Sequence, residues 1–161
     1  MRYITLIALV LLILSAAACA TPLTPAGPAP TSTPSPAPGT TPPSGDLTIF
    51  FKRSGGIAGV NESYSLKPDG SLDTSKGPKQ ADGGATAAAN LAGQIAATGI
   101  YSVTPGKYPP VNPCCDRFEY DLTLDVGGKS FSYTTMDGSE TAPASLKQTV
   151  GLIVRYIAAA R

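Results

Sequence analysis

Between residues 118 and 126, Phe118, Tyr120, Leu122, Leu124 and Val126 alternate with Glu119, Asp121, Thr123 and Asp125. A period of two places the two sets on opposite faces of a strand, one buried and one wet. Gly127-Gly128 then turns the chain into Lys129 to Thr135, where Phe131, Tyr133 and Thr135 repeat the alternation, which predicts a hairpin. A β-branched and aromatic run, Leu47 to Arg53, ends at Ser54-Gly55-Gly56 and reads as a strand entering a glycine turn. A further strand is expected from Val60 to Lys67. Pro68-Asp69-Gly70 supplies a turn, and a short strand from Ser71 to Thr74 pairs back.

Two segments change period. Ala88, Leu91, Ala92 and Ile95 fall on one face of a helix expected over 85–98, with Gly99 where helices commonly stop. Leu146, Val150, Ile153 and Ile157 define an amphipathic helix opening at Thr141-Ala142-Pro143, with proline in its first turn. The order strands, helix, hairpin, helix predicts an α+β fold: a small antiparallel sheet of about four to five strands with both helices packed on one face.

The first 45 residues follow neither period. Arg2, an apolar run from Ile4 to Leu14 and the small residues Ser15 to Ala18 precede Cys19, the layout of a signal peptide over residues 1–18. The apolar run is shorter than the roughly 20 residues of a membrane span. Small residues before Cys19 resemble the lipobox of bacterial lipoproteins, with Ala16 where Leu is commonest. That implies a diacylated Cys19, several acyl chains each contributing roughly 0.8 kcal/mol per buried CH2, and an extracytoplasmic chain anchored to membrane lipid. The alternative is ordinary cleavage after Ala-x-Ala, with Cys19 merely nearby. From Ala20 to Gly45 the chain is Pro, Thr, Ser, Ala and Gly with one large aliphatic residue, Leu23. It cannot bury a core and reads as a stalk reaching, at about 3.1 Å per residue, at most roughly 80 Å. Residues 19–45 are thus lipid site and linker, and residues 46–161 form one globular domain.

Charge and composition narrow the function. Twelve Lys+Arg face 11 Asp+Glu, without the basic stripe that nucleic acid requires, so no nucleic-acid partner is expected. The chain has no histidine, which removes hydrolases with a histidine base and most catalytic zinc sites. No enzyme, cofactor or metal site is expected. Glu119, Asp121 and Asp125 share the polar face of one strand, where solvated charge is the ordinary explanation.

Two segments stand out as candidate sites. Arg53, Ser54, Gly55, Gly56, Ile57, Ala58 and Gly59 put three glycines in a short loop, which allows unusual backbone conformations and close approach by another chain. The loop either presents Ile57 and Arg53 to a partner or is a tight connection with Ile57 packed inward. Cys114 and Cys115 are adjacent, so they form a vicinal disulfide, pair between molecules, remain thiols, or serve metal or redox chemistry. Asp116 and Arg117 stand at the entrance of the clearest strand, where Asp116 is suited to accept backbone hydrogen bonds from the proline-rich loop before it.

Taken in order, Lys52-Arg53-Ser54-Gly55-Gly56-Ile57-Ala58-Gly59, Asp116-Arg117-Phe118-x-Tyr120-x-Leu122-Thr123, a hairpin, and Ala142-Pro143-x-x-Leu146 resemble emfourin-like proteins, the protealysin-inhibitor family. The resemblance spans nearly all of residues 46–161. It implies a small α+β domain that binds and blocks thermolysin-like zinc metalloproteases, with the Arg53–Gly59 loop and the Asp116-Arg117 strand entry as matching positions. The lipobox and stalk are additions to that pattern. The alternative is an envelope lipoprotein that binds a protein or glycan without inhibiting a protease, using the glycine loop with Tyr101, Tyr108 and Tyr120.

Overall fold

The computed structural model describes residues 43–112, 114 and 116–160. The expected signal segment, Cys19, most of the stalk and Cys115 lie outside the described residues. Seven strands form one sheet: β1 (Leu47–Gly55), β2 (Val60–Leu66), β3 (Ser71–Thr74), β4 (Gly77–Gln80), β5 (Gly106–Tyr108), β6 (Phe118–Val126) and β7 (Lys129–Met136). Their spatial order is β4-β3-β2-β1-β6-β7-β5. Helix α1 (Gly84–Ala97) and a 3₁₀ turn, Ile100–Ser102, lie between β4 and β5, and helix α2 (Ala144–Ala159) closes the domain.

The α+β class and the order of the long elements match the sequence reading, but the sheet is larger than the four to five strands expected. β4 and β5 are the additions. Neither has an alternating pattern: β4 is Gly77-Pro78-Lys79-Gln80 and β5 is only Gly106-Lys107-Tyr108. β4 exists because β3 turns back on itself, with Leu72 opposite Lys79. Pro78 is tolerated there because β4 is an edge strand. β5 pairs parallel with β7, Lys107 opposite Thr134, so the sheet is mixed rather than wholly antiparallel. The second helix begins at Ala144, after the Thr141-Ala142-Pro143 opening its pattern suggested, so Pro143 flanks the first turn rather than standing in it.

Alternation decides which face is covered. Leu47, Ile49 and Phe51 of β1 and Leu122, Leu124 and Val126 of β6 are buried on one side, against Leu91 and Ile95 of α1 and Leu146, Val150 and Ile153 of α2. Each such side chain contributes about 1.5–3 kcal/mol when withdrawn from water. Neither helix has a side-chain cap at its N-terminus, so their stability comes from this packing. Thr149, fully buried on α2, donates to the Ser145 carbonyl at 2.8 Å and shares a 3.0 Å hydrogen bond with Thr98 after α1, joining the two helices. The opposite face carries Lys52, Asp121, Thr123 and Ser132, with Phe50, 46% exposed, as an apolar exception.

The two ends of the sheet differ. At one end the chain enters through residues 43–46, pressed against the β6–β7 turn: a Cβ on Gly127 would lie 2.7 Å from the Ser44 carbonyl oxygen. The β1–β2 hairpin turns at the other end, roughly 30 Å away along β1 at the usual strand rise.

Candidate functional site

The glycine segment is divided between strand and turn. Arg53, Ser54 and Gly55 continue β1 in register with Glu62, Asn61 and Val60 of β2, while Gly56, Ile57, Ala58 and Gly59 make the connection. Gly59 N–H closes it by donating to the Gly56 carbonyl at 2.9 Å. Ile57 is 88% exposed at the tip. Of the two readings left open by the sequence, inward packing of Ile57 is therefore excluded.

The strand entry that resembled the second motif sits directly beside this turn. Gly55 pairs with Phe118, and Gly56 N–H donates to the Arg117 carbonyl at 3.1 Å. Gly56 has φ +70°, and a Cβ there would lie 2.8 Å from the Phe118 ring. The conformation thus favours glycine, and a Cβ there would push the Phe118 ring aside. The two candidate segments, distant in sequence, form one buttressed corner.

Arg53 is not at the tip. It lies two residue pairs below the turn on the helix-facing side, its Nη2 2.6 Å from Glu62 Oε2 and its guanidinium 5.1 Å from the Phe118 ring centre. A cation over an aromatic face and a carboxylate partner hold it in the sheet. Ser54 falls on the opposite face by alternation. Arg117 Nη1 donates to the Asp137 carbonyl at 3.1 Å, tying the corner to the end of β7.

Asp116 is exposed. The bonds expected of it in the preceding loop are supplied by other groups: Val111 N–H donates to Glu140 Oε2 at 3.1 Å and Cys114 N–H to Asn112 Oδ1 at 3.2 Å. Backbone N–H donors, its own and that of Val111, hold the Glu140 carboxyl below its ordinary range. At the strand entrance the organising carboxylate is Asp137, which accepts from Phe118 N–H at 3.4 Å and Tyr120 OH at 2.9 Å. Burial, then this bond to Asp137, pushes the Tyr120 phenol up to about 12. Nothing in the local pattern around Asp137 marked it, because its partners arrive from another strand.

Loop 109–112 adds a second apolar side chain at this end of the sheet. Thr141 Oγ1 and Ser139 Oγ donate to the Pro109 carbonyl at 2.6 and 3.3 Å, so the loop is anchored while Val111 is 78% exposed. Among the described residues, the exposed large hydrophobic side chains are Phe50, Ile57 and Val111, and Ile57 and Val111 belong to the connections beside the β1–β6 corner.

The tyrosines considered for glycan or protein contact are partly buried and make contacts within the domain. Tyr101 packs on Phe131 at 5.3 Å, Tyr108 OH donates to the Thr104 carbonyl, and Tyr120 stacks on Phe51 at 5.8 Å. Cys114 is exposed on the loop before β6. No group of three Cys, Asp or Glu side chains suited to a metal ion occurs among the described residues. No helix among them is long and apolar enough to cross a membrane.

Compared with protein-family models and with curated proteins, the chain matches none. The geometry of the corner therefore carries the functional reading.

Proposed function

We propose that this chain is a lipid-tethered extracytoplasmic binding protein whose β1–β2 hairpin enters the cleft of a thermolysin-like zinc metalloprotease and blocks it. The observation that carries this reading is Ile57, 88% exposed on a narrow turn whose base is fixed to Arg117 and Phe118. A pre-ordered loop loses less entropy on docking than a flexible one. An exposed aliphatic side chain at its tip is suited to a concave apolar pocket, the usual form of an interface anchor.

The test is a titration of several thermolysin-like enzymes with the full chain and with its Ile57→Asp variant. Saturable loss of proteolysis by the wild type, relieved in the variant, is the expected result. Absence of inhibition across those enzymes overturns the protease assignment. Capture of a different envelope protein that is lost in the same variant would identify a non-inhibitory binding role.

A further inference from the structure

The helix-facing side of the sheet continues past the last turn of α2. There β1, β2, the β3–β4 turn and residues 154–158 enclose a cavity of about 270 Å³. This is slightly below the roughly 300 Å³ at which pockets begin to hold drug-sized ligands. Its walls differ in character. Phe51, Val154, Ile157 and Ala158 form an apolar side, while Arg53, Glu62, Lys76 and Lys79 form an ionic one.

The ionic side is unbalanced, with three cations to one carboxylate. Glu62 is already engaged by three donors: Oε2 accepts from Arg53 at 2.6 Å and from Tyr64 OH at 2.9 Å, and Oε1 accepts from Lys76 at 2.9 Å. These donors, Lys76 foremost, hold its carboxyl near 2, so it stays charged and has little further accepting capacity. Donors remain in surplus. Among the described residues, Lys79 Nζ donates to the Ala160 carbonyl, at 3.5 Å, and Arg53 Nε is shielded from water without an acceptor. Each ammonium has three N–H donors, so Lys76 and Lys79 keep spare donors beside a carboxylate already engaged, which favours a ligand that is purely an acceptor.

We propose that this cavity binds a small organic carboxylate with a short apolar body, its carboxylate between Lys76 and Lys79 and its body against Phe51, Val154 and Ile157. The apolar wall discriminates against inorganic anions, which would lose hydration there with nothing to cover the aliphatic surface. A free short-chain acid and the C-terminal carboxylate of a peptide share the required chemistry. The site is separate from Ile57 and does not depend on the protease reading.

The experiment follows amide shifts in ¹H–¹⁵N spectra of the full chain during titration with hexanoate, with N-acetyl-Ala-Val, with the amide of that peptide, and with inorganic phosphate. Saturable shifts at Lys76, Lys79 and Ile157 are expected from one or both acids, the tighter naming the source. The peptide amide and phosphate should give none. Replacing both exposed lysines, Lys76→Gln with Lys79→Gln, should weaken binding about tenfold or more while the spectrum remains that of a folded chain. Ile57→Asp should bind the acid unchanged. No saturable shift with either acid, an equal response to acid and amide, an equal response to phosphate, or unchanged affinity in the double variant each overturns the proposal.

Discussion

Gly56 donates its backbone N–H to the Arg117 carbonyl at 3.1 Å, linking the tip of the first hairpin to the entrance of β6. This bond extends the β1–β6 ladder past Gly55 and Phe118, its last pair. It makes the hairpin a supported projection rather than a free loop. It also separates two roles within one short segment, since Gly56 supports and Ile57 is presented.

Gly56→Ala should therefore act on folding. The new Cβ meets the Phe118 ring in a backbone conformation that L side chains rarely adopt, whereas Gly59, at φ +59°, has open space around it. Urea denaturation should show Gly56→Ala destabilising by more than about 1 kcal/mol and by more than Gly59→Ala. Equal losses would mean that the Phe118 contact is not limiting.

Ile57→Asp should leave the denaturation midpoint nearly unchanged, within about 0.5 kcal/mol, because the side chain packs against little. Val111→Asp should be similarly mild. Any partner that docks on the corner should lose at least about tenfold in affinity from the first of these, measured by titration at fixed salt.

Acid should weaken the Arg53–Glu62–Lys76 cluster in a defined direction. The Glu62 carboxyl is depressed from 4.5 to about 2, so its contribution to stability is complete above about 4.5 and disappears as pH falls through about 2. Thermal melts should show wild type more stable than Glu62→Gln near neutral pH, with the difference closing across that window. A difference that persists below pH 2 would show that charge is not its origin.

Tyr133 links β7 to the 3₁₀ turn, donating to the Ile100 carbonyl at 3.0 Å, and burial pushes its phenol up to about 12. Its raised value means that stability is full below the ordinary phenol value of 10 and is lost as pH rises toward 12. Tyr133→Phe should cost about 0.5–1.5 kcal/mol, because the Ile100 carbonyl loses one of its two donors and keeps the Val103 N–H. The same variant should flatten the alkaline limb of the stability curve.

For the tether, Cys19→Ser should move the protein from the membrane fraction to the soluble one, and mass spectrometry of the mature wild-type amino terminus should find acyl chains on Cys19. An unacylated terminus after residue 18 would leave the head as a released protein.

Much of the fold was legible in strict alternation. β6 runs over Phe118–Val126 as its pattern required, and Ala88, Leu91 and Ile95 mark the buried face of α1. These signals are local because a half-buried element must repeat its apolar side chains at its own period. β4 and β5 were not legible for the complementary reason. A short edge strand buries almost nothing, and its hydrogen-bond partners decide whether it forms.

The candidate site divides in the same way. By itself the sequence determined that the Arg53–Gly59 segment would be a glycine turn after a strand, and that the clearest strand would begin at Phe118. Tertiary structure alone decided that these segments meet, that Ile57 points to solvent while Arg53 turns back onto Glu62, and that Asp137 rather than Asp116 organises the corner. The reason is physical: turn chemistry is set by neighbouring residues, whereas exposure and pairing depend on which distant strand lies alongside.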